Sequence, residues 1–163
     1  LGREEVLYPA WEPACGDGAI SRFFPGCLAT DIEDYGLGND KMDYLAMKCP
    51  NDVRSIVTNP PFRLAQDFLA KALGEVPYVA FILRINFLEA TRRQKLFESN
   101  PPSRILIPSR RLPMMHQHGW AGKRAPSNTC HPWFIWDRAS QDRTQIFWYD
   151  WGKLLENENV SER

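Results

Sequence analysis

The amino-acid sequence predicts an α/β protein with a mostly parallel sheet, helices on both faces of that sheet, and a late antiparallel hairpin. Short apolar runs alternate with amphipathic stretches of helical period, and this alternation is typical of parallel strands joined by helices. The last two apolar runs are separated only by a short polar segment, which favours a hairpin. A length of 163 residues suits one domain with a buried core.

The first half of the chain is predicted to contain three strands and two helices. The first helix ends at Pro25-Gly26, because proline and glycine interrupt helices. The second helix has an apolar stripe that includes Phe68 and Leu69, and Gly74 is expected to end it. In chain order, the predicted elements are a strand over 8–15, a helix over 19–24, strands over 27–32 and 55–58, and a helix over 63–74.

The second half begins with the most apolar run of the chain, which predicts a central buried strand. A helix with charge on one face and a further strand follow, and then a long irregular segment. The predicted elements are a strand over 76–85, a helix over 87–99, a strand over 103–109, an irregular segment over 110–129, and two hairpin strands over 130–138 and 145–151. Residues 1–152 are expected to form one catalytic domain, with 153–163 as a polar tail.

The charge of the chain is zero in total but unevenly distributed. Residues 1–83 carry 7 Lys and Arg against 12 Asp and Glu, a net charge of −5. Residues 84–124 carry 9 against 2, a net charge of +7, and residues 125–163 carry 4 against 6. The basic middle segment therefore predicts an anionic partner, with a solvated helix face and a basic loop as the alternative.

The cysteines and histidines do not predict a metal site. The four cysteines are far apart in sequence and contain no C-x-x-C pair, so neither a common zinc site nor a disulfide framework is expected. His116 and His118 form an isolated H-x-H in a polar segment, where solvated histidines are common. No apolar run approaches the roughly 20 residues of a membrane span, and the first residues lack a signal-peptide pattern, so a cytoplasmic location is expected.

Two acidic or glycine-rich segments follow the first two predicted strands. In Glu12-Pro-Ala-Cys-Gly-Asp-Gly, Gly16 and Gly18 would let the backbone approach a ligand, whereas Glu12 suits a cationic or zwitterionic one. Asp31, followed by Ile32, ends the second strand, where a carboxylate commonly binds ribose hydroxyls. Asp43 is a further acid that can accept a hydrogen bond from an adenine amine. Because ligands bind at the carboxyl ends of parallel strands, these segments are expected to share one site.

The third segment is Asn59-Pro60-Pro61-Phe62, directly after the strand over 55–58. The prolines fix the backbone, so that the Pro60 carbonyl and the Asn59 side-chain carbonyl are two rigid acceptors. Two such acceptors can bind both hydrogens of a planar NH2 group. Phe62 offers a ring on which a planar group can stack.

In this order, the glycine turn, the acid after strand two, the next acid and Asn-Pro-Pro-Phe resemble the class I S-adenosylmethionine-dependent methyltransferases, and specifically the DNA adenine-N6 methyltransferases. The resemblance covers residues 10–90 and continues more loosely through 102–114 and 131–136. It is strongest to the small phage- or prophage-type enzymes. It implies a Rossmann-like fold, S-adenosylmethionine as the cofactor, and DNA, or else RNA, as the partner.

The resemblance also implies roles for individual residues. Asn59, Pro60, Pro61 and Phe62 are implied to hold the target base, with Asn59 also beside the cofactor. The basic segment is implied to contact the nucleic acid. The implied cofactor residues are Glu12, Ala14, Gly16, Gly18, Asp31, Ile32, Asp43 and Asn59, and the implied nucleic-acid residues are Arg84, Arg110, Arg111, Lys123 and Arg124.

Three interpretations of function remain open from the sequence. The first is methylation of adenine N6 in DNA. The second is methylation of RNA bases or of a protein glutamine amide, since the same acceptors would bind any planar amine or amide. The third is a nucleic-acid-binding domain that keeps a methyltransferase-like fold without catalysis. The oligomeric state is not predicted.

Overall fold

The structure of the chain, a computed structural model, describes residues 6–36, 40–112, 128–141 and 143–153. It contains a sheet of eight strands and two α-helices in these ranges. The strands are β1 (Ala10–Glu12), β2 (Leu28–Asp31), β3 (Asp40–Lys41), β4 (Ser55–Thr58), β5 (Tyr78–Ile82), β6 (Arg104–Pro108), β7 (Trp133–Asp137) and β8 (Gln145–Tyr149). The helices are α1 (Ala65–Glu75) and α2 (Thr91–Ser99), and short 3-10 helices cover Ser21–Phe23 and Ile85–Leu88.

The strand order is β3-β2-β1-β4-β5-β7-β6-β8. All neighbouring strands are parallel except that β7 runs antiparallel to both β5 and β6. The order reverses between β1 and β4, because the chain first builds the sheet outward from β1 to β3 and then returns to the other side of β1. This arrangement confirms the predicted α/β fold with a mostly parallel sheet.

The predicted pairing of the last two strands is wrong in one respect. β7 does not form a hairpin with β8, since β6 lies between them and pairs with both. β8 is parallel to β6, with Gln145 beside Arg104 and Tyr149 beside Pro108. The central place of β7 follows from its composition, because Phe134, Ile135 and Trp136 are all buried. β8 lies at the edge of the sheet.

The two α-helices cover one face of the sheet. Phe68 and Leu69 of α1 pack with Ile56 of β4 and with Val79 and Phe81 of β5. Side chains alternate between the faces of a strand, so the next residues along these strands point the other way. α1 starts at Ala65, four residues after Pro61, and the Leu64 N–H donates to the Pro61 carbonyl at 2.8 Å. Gly74 lies inside α1 rather than at its end.

The opposite face has a smaller cover. Val57, Tyr78 and Ala80 form a buried cluster there with Phe24, and Ile20 packs against it. These last two residues flank the 3-10 helix Ser21–Phe23, which stands where a longer helix over 19–24 was predicted. None of the helices in the described part of the chain has the length and apolar character needed to cross a membrane.

Arg93 connects α2 to the 3-10 helix Ile85–Leu88. Its guanidinium donates to the carbonyls of Phe87 at 2.7 Å, of Asn86 at 3.2 Å and of Glu89. The guanidinium carbon also lies 4.6 Å from the centre of the Phe87 ring. Buried backbone carbonyls need such donors, so Arg93 fixes the path of the chain after β5. This path forms one side of the candidate site.

Candidate active site

The candidate site lies at the edge of the sheet where the parallel strands end. β1, β2, β4 and β5 are neighbours and parallel, so the segments after them meet at this edge. β7 is antiparallel, and therefore its first residues arrive at the same edge. The segments predicted to bind the cofactor and the target base follow β1, β2, β3 and β4.

The glycine turn after β1 is bound directly to the acid after β2. The Gly16 N–H donates to Asp31 Oδ2 at 2.9 Å. Gly16 and Gly18 have φ angles of 51° and 77°, which residues with a side chain rarely adopt. A Cβ built on Gly16 would meet no atom within 4 Å. The turn therefore needs glycine for its backbone conformation, and the space in front of Gly16 is open.

Glu12 is a buried acid at the end of β1, with only 2% of its surface exposed. Its Oε2 accepts a hydrogen bond from the Ser21 N–H at 2.6 Å. Burial, assisted by the nearby charges of Asp31 and Asp17, raises the pKa of Glu12 to about 8 against the lowering effect of the Ser21 hydrogen bonds. Ala14 is half-buried and packs against the core. A cation beside Glu12 would favour its ionised form.

The two acids predicted to bind a nucleoside are linked through the backbone. The Met42 N–H donates to the Asp31 carbonyl at 2.8 Å, which places the segment before Asp43 beside the end of β2. Asp31 Oδ1 accepts from Glu33 N–H, and Asp43 Oδ1 accepts from Leu45 N–H, both at 3.0 Å. Ile32 is 55% exposed. Asp31, Ile32 and Asp43 thus all lie near the carboxyl end of β2.

Asn59 and Pro60 present acceptors without donors at the end of β4. Asn59 Oδ1 is buried and has no hydrogen-bond partner among the described residues, and the same holds for Thr58 Oγ1. The Pro61 carbonyl is occupied by Leu64 N–H, whereas no described donor is bonded to the Pro60 carbonyl. A buried acceptor without a donor costs about 1–3 kcal/mol, so the arrangement is typical of a site that is completed by a ligand.

Phe62 contacts two further side chains. Its ring stacks on the His131 ring with centroids 5.5 Å apart and an interplanar angle of 27°. The guanidinium carbon of Arg84 lies 4.4 Å from the centre of the Phe62 ring. Phe62 keeps 39% of its surface exposed, and His131 only 2%. The ring is therefore held in place but accessible.

His131 is a site residue that the sequence did not predict. Both of its ring nitrogens are buried, and neither forms a hydrogen bond of normal geometry with a described residue. Burial lowers the pKa of His131, with the Thr129 backbone opposing and the Arg84 charge adding to the effect. The signal available in the sequence was His131-Pro132 directly before an aromatic run. It would point to the site only if β7 were known to be antiparallel.

A cavity of about 160 Å³ adjoins Phe62 on the side of α1 and α2. Its wall combines apolar core residues with two arginines. The residues that line it are Phe62, Ala65, Leu83, Arg84, Asn86, Phe87 and Arg93.

The residues predicted to bind nucleic acid lie in different places. Arg84 is exposed beside Phe62. Arg110 is bound to Asp150 through a salt bridge of 3.1 Å, and Arg111 is exposed at the end of the described segment. Lys123 and Arg124 lie outside the described residues, as do His116 and His118. The structure therefore brings one of the five predicted cations to the Asn59–Phe62 turn.

Comparisons with known proteins give one informative result. No family model matches the chain, and no curated protein matches it. A solved structure, the modification subunit of a putative type I restriction enzyme from Vibrio vulnificus YJ016, is similar with a TM-score of 0.53 at 15% sequence identity. The match covers 86% of this chain and 42% of that chain, less than half of its length. At this identity, the likeness shows a shared Rossmann-like α/β fold.

Proposed function

We propose that this protein transfers a methyl group from S-adenosylmethionine to the exocyclic N6 amine of adenine in DNA. The observation that carries the proposal is a pair of acceptors at the end of β4, Asn59 Oδ1 and the Pro60 carbonyl, to which no described residue donates, next to the accessible Phe62 ring. An adenine amine has two hydrogens on a planar group. Each of the two acceptors can bind one of these hydrogens, and the Phe62 ring can stack on the planar group.

The cofactor residues are proposed from the resemblance and fit the geometry of the site. The space before Gly16 is open, and the buried Glu12 suits a positively charged group. Bound there, S-adenosylmethionine supplies a methyl group activated by a sulfonium. Glu12, Ala14, Gly16 and Gly18 would line its methionine part, Asp31 and Ile32 its ribose, Asp43 its adenine, and Asn59 the side facing the target.

The chain's own contribution to catalysis is positioning and electrostatics. The lone pair of an adenine amine is conjugated into the ring, which makes the nitrogen a poor nucleophile. Hydrogen bonds from its two N–H groups to Asn59 Oδ1 and the Pro60 carbonyl favour a pyramidal nitrogen with an available lone pair. Phe62 stacks on the base and fixes its plane, and His131 fixes the plane of Phe62. No covalent enzyme intermediate is needed.

A nucleic acid is the proposed substrate because of charge, and DNA rather than RNA because of the resemblance to the DNA adenine-N6 methyltransferases. The segment 84–124 has a net charge of +7, which favours a polyanion over a protein amide. The base must leave the duplex to reach the acceptors, and Arg84, Arg110, Arg111, Lys123 and Arg124 would contact the phosphates. The similar fold of a restriction-enzyme modification subunit supports the same reading.

The test is incubation of the protein with labelled S-adenosylmethionine and, separately, DNA, RNA and a protein extract. We expect label in DNA as N6-methyladenine. Asn59→Ala should lower the rate about 100-fold or more, since it removes an acceptor made for the reacting amine, with little change in cofactor affinity measured by calorimetry. Asn51→Ala, the same change at an exposed turn residue, should leave both unchanged.

Different failures contradict different parts of the proposal. Label in RNA alone or in protein alone would reject DNA as the substrate. Absence of cofactor binding would reject the enzyme and favour a non-catalytic binding domain. If Asn59→Ala lost cofactor affinity and rate together, Asn59 would act through the cofactor or the fold rather than at the target amine.

A further inference from the structure

The ring of Phe62 is covered in part by a cation. The guanidinium carbon of Arg84 is 4.4 Å from the ring centre, within the distance of a cation–π contact. Neither the salt bridge of Lys71 with Glu75 nor that of Arg110 with Asp150 includes Arg84. The charge of Arg84 is therefore not neutralised by a described carboxylate, and its planar group occupies ring surface that a planar base would need.

The two neighbours of Phe62 differ in their ability to move. His131 is buried, and its neighbours Cys130 and Pro132 are tied to the chain after β5 by backbone hydrogen bonds to Ile85 and Leu83. Arg84 is exposed, and its long side chain also borders the cavity beside Phe62. The guanidinium can therefore leave the ring without disturbing the core, whereas the imidazole cannot.

We propose that Arg84 covers the stacking surface of Phe62 until a target base arrives, and then exchanges this contact for a phosphate next to that base. This inference rests on the proposed function and names what the site requires of its substrate: a planar amine-bearing base joined to a phosphate. A nucleoside or a protein amide would displace the guanidinium and offer it no anion in return.

The exchange is favourable only for a substrate with a phosphate. A cation–π contact at an exposed site is weak, and a guanidinium binds a phosphate through two charge-assisted hydrogen bonds of matching geometry. Lysine would keep the charge but lose both the planar stacking and the paired hydrogen bonds. Arg84 thus weakens the binding of a substrate without a phosphate and strengthens the binding of a substrate with one.

The experiment compares two single-stranded oligonucleotides that have one central adenine. The oligonucleotide that we call charged has normal phosphates throughout. The one that we call neutral has uncharged methylphosphonates on both sides of the adenine. Affinities are measured by fluorescence anisotropy with S-adenosylhomocysteine present, for the wild type, Arg84→Ala, Arg84→Lys and Arg92→Ala. Arg92 is an exposed arginine on α2 and serves as the matched control.

We expect the wild type to bind the charged oligonucleotide about tenfold more tightly than the neutral one. Arg84→Ala should reduce this ratio to about twofold, by weakening the charged complex and tightening the neutral one, because the ring is uncovered. Arg84→Lys should lie between, and Arg92→Ala should keep the wild-type ratio. In a Phe62→Ala background, Arg84→Ala should no longer tighten the neutral complex.

The inference is overturned if Arg84→Ala keeps the wild-type ratio, or if it does not tighten the neutral complex. Either result leaves the proposed function intact, provided that the wild type methylates DNA. Failure of the wild type to transfer the methyl group to DNA would instead reject the proposed function.

Discussion

At the scale of single residues, the burial of Glu12 opposes the negative charge that its proposed role beside a cation requires. A carboxylic acid buried at the end of a central strand is ordinarily destabilising, because burial disfavours its charged form. Here burial raises its pKa to about 8, while the Ser21 N–H holds its Oε2 at 2.6 Å. The residue is therefore mostly protonated at neutral pH and becomes a carboxylate on mild alkalinisation or beside a cation. The protonation of Glu12 should therefore make the free energy of unfolding depend on pH.

We predict that Glu12→Gln becomes progressively more stable than the wild type as the pH rises from 6.5 to 8. In this range the unfolded chain has already lost the Glu12 proton, whereas the folded chain retains it, so the wild-type free energy of unfolding falls with pH. The difference in the free energy of unfolding between variant and wild type should grow by about 1.4 kcal/mol per pH unit and reach about 2 kcal/mol at pH 8. Urea unfolding of both proteins at several pH values measures it.

The control for this prediction is Glu33→Gln, the same change at an exposed acid. Its stability curve should run parallel to that of the wild type over the same pH range. Comparing variant with wild type removes the contribution of His131, whose pKa is lowered by burial and whose own effect on stability has the opposite sign. Parallel curves for Glu12→Gln would mean that Glu12 is ionised in the folded protein.

At the scale of elements, the start of α2 carries backbone strain. Ala90, directly before the helix, has a φ angle of 112°, a conformation that residues with a Cβ rarely adopt. The hydrogen bonds of Arg93 to the Phe87 and Asn86 carbonyls hold the chain in this path. The strain lies next to the segment that lines the cavity beside Phe62.

We predict that Ala90→Gly raises the free energy of unfolding by about 1 kcal/mol. Relief of strain of about 1–3 kcal/mol should exceed the cost of the greater freedom of glycine in the unfolded chain, about 0.5–1 kcal/mol. Thermal or urea unfolding is the measurement. Ala70→Gly, at an exposed position inside α1, should instead lower it by about 1 kcal/mol. Equal destabilisation by both changes would show that the Ala90 backbone is not strained.

The elements also show what could be predicted from the sequence. β4 and α1 were predicted closely, because a short β-branched run and a helical apolar stripe are local signals. β3 was not predicted, since Asp40 and Lys41 are both exposed and have no apolar pattern. The helix predicted over 87–99 is divided at Ala90, and this break depends on the tertiary hydrogen bonds of Arg93.

The same distinction holds for the candidate site. Glu12, Asp31 and Asn59 could be assigned to one edge from the sequence, because each ends a parallel strand. His131 could not, because it precedes a strand, and it reaches this edge only through the antiparallel insertion of β7. The contact of Arg84 with Phe62 depends on the parallel register of β4 and β5. Local pattern thus predicts one side of the site, and sheet topology determines the other.

At the scale of the whole molecule, β7 joins the parallel sheet to its last two strands. It pairs with β5 on one side and β6 on the other, so that Phe134 lies beside both Phe81 and Ile105. Phe134 is fully buried and stacks on Trp136, with ring centroids 6.1 Å apart. β8, in contrast, pairs with β6 alone among the described strands, and its Trp148 is 68% exposed. Two aromatic residues in late strands therefore have very different environments.

This difference predicts the outcome of matched truncations. Phe134→Ala should lower the free energy of unfolding by about 4 kcal/mol, since it leaves a cavity at the centre of the sheet, whereas Trp148→Ala should change it by at most about 0.5 kcal/mol. Urea unfolding followed by far-ultraviolet circular dichroism compares the two without relying on tryptophan emission. A loss at Trp148 similar to that at Phe134 would contradict its exposure and would mean that another surface covers β8 in solution. A small loss at Phe134 would contradict the continuity of the core through β7, on which the placement of His131 beside Phe62 depends.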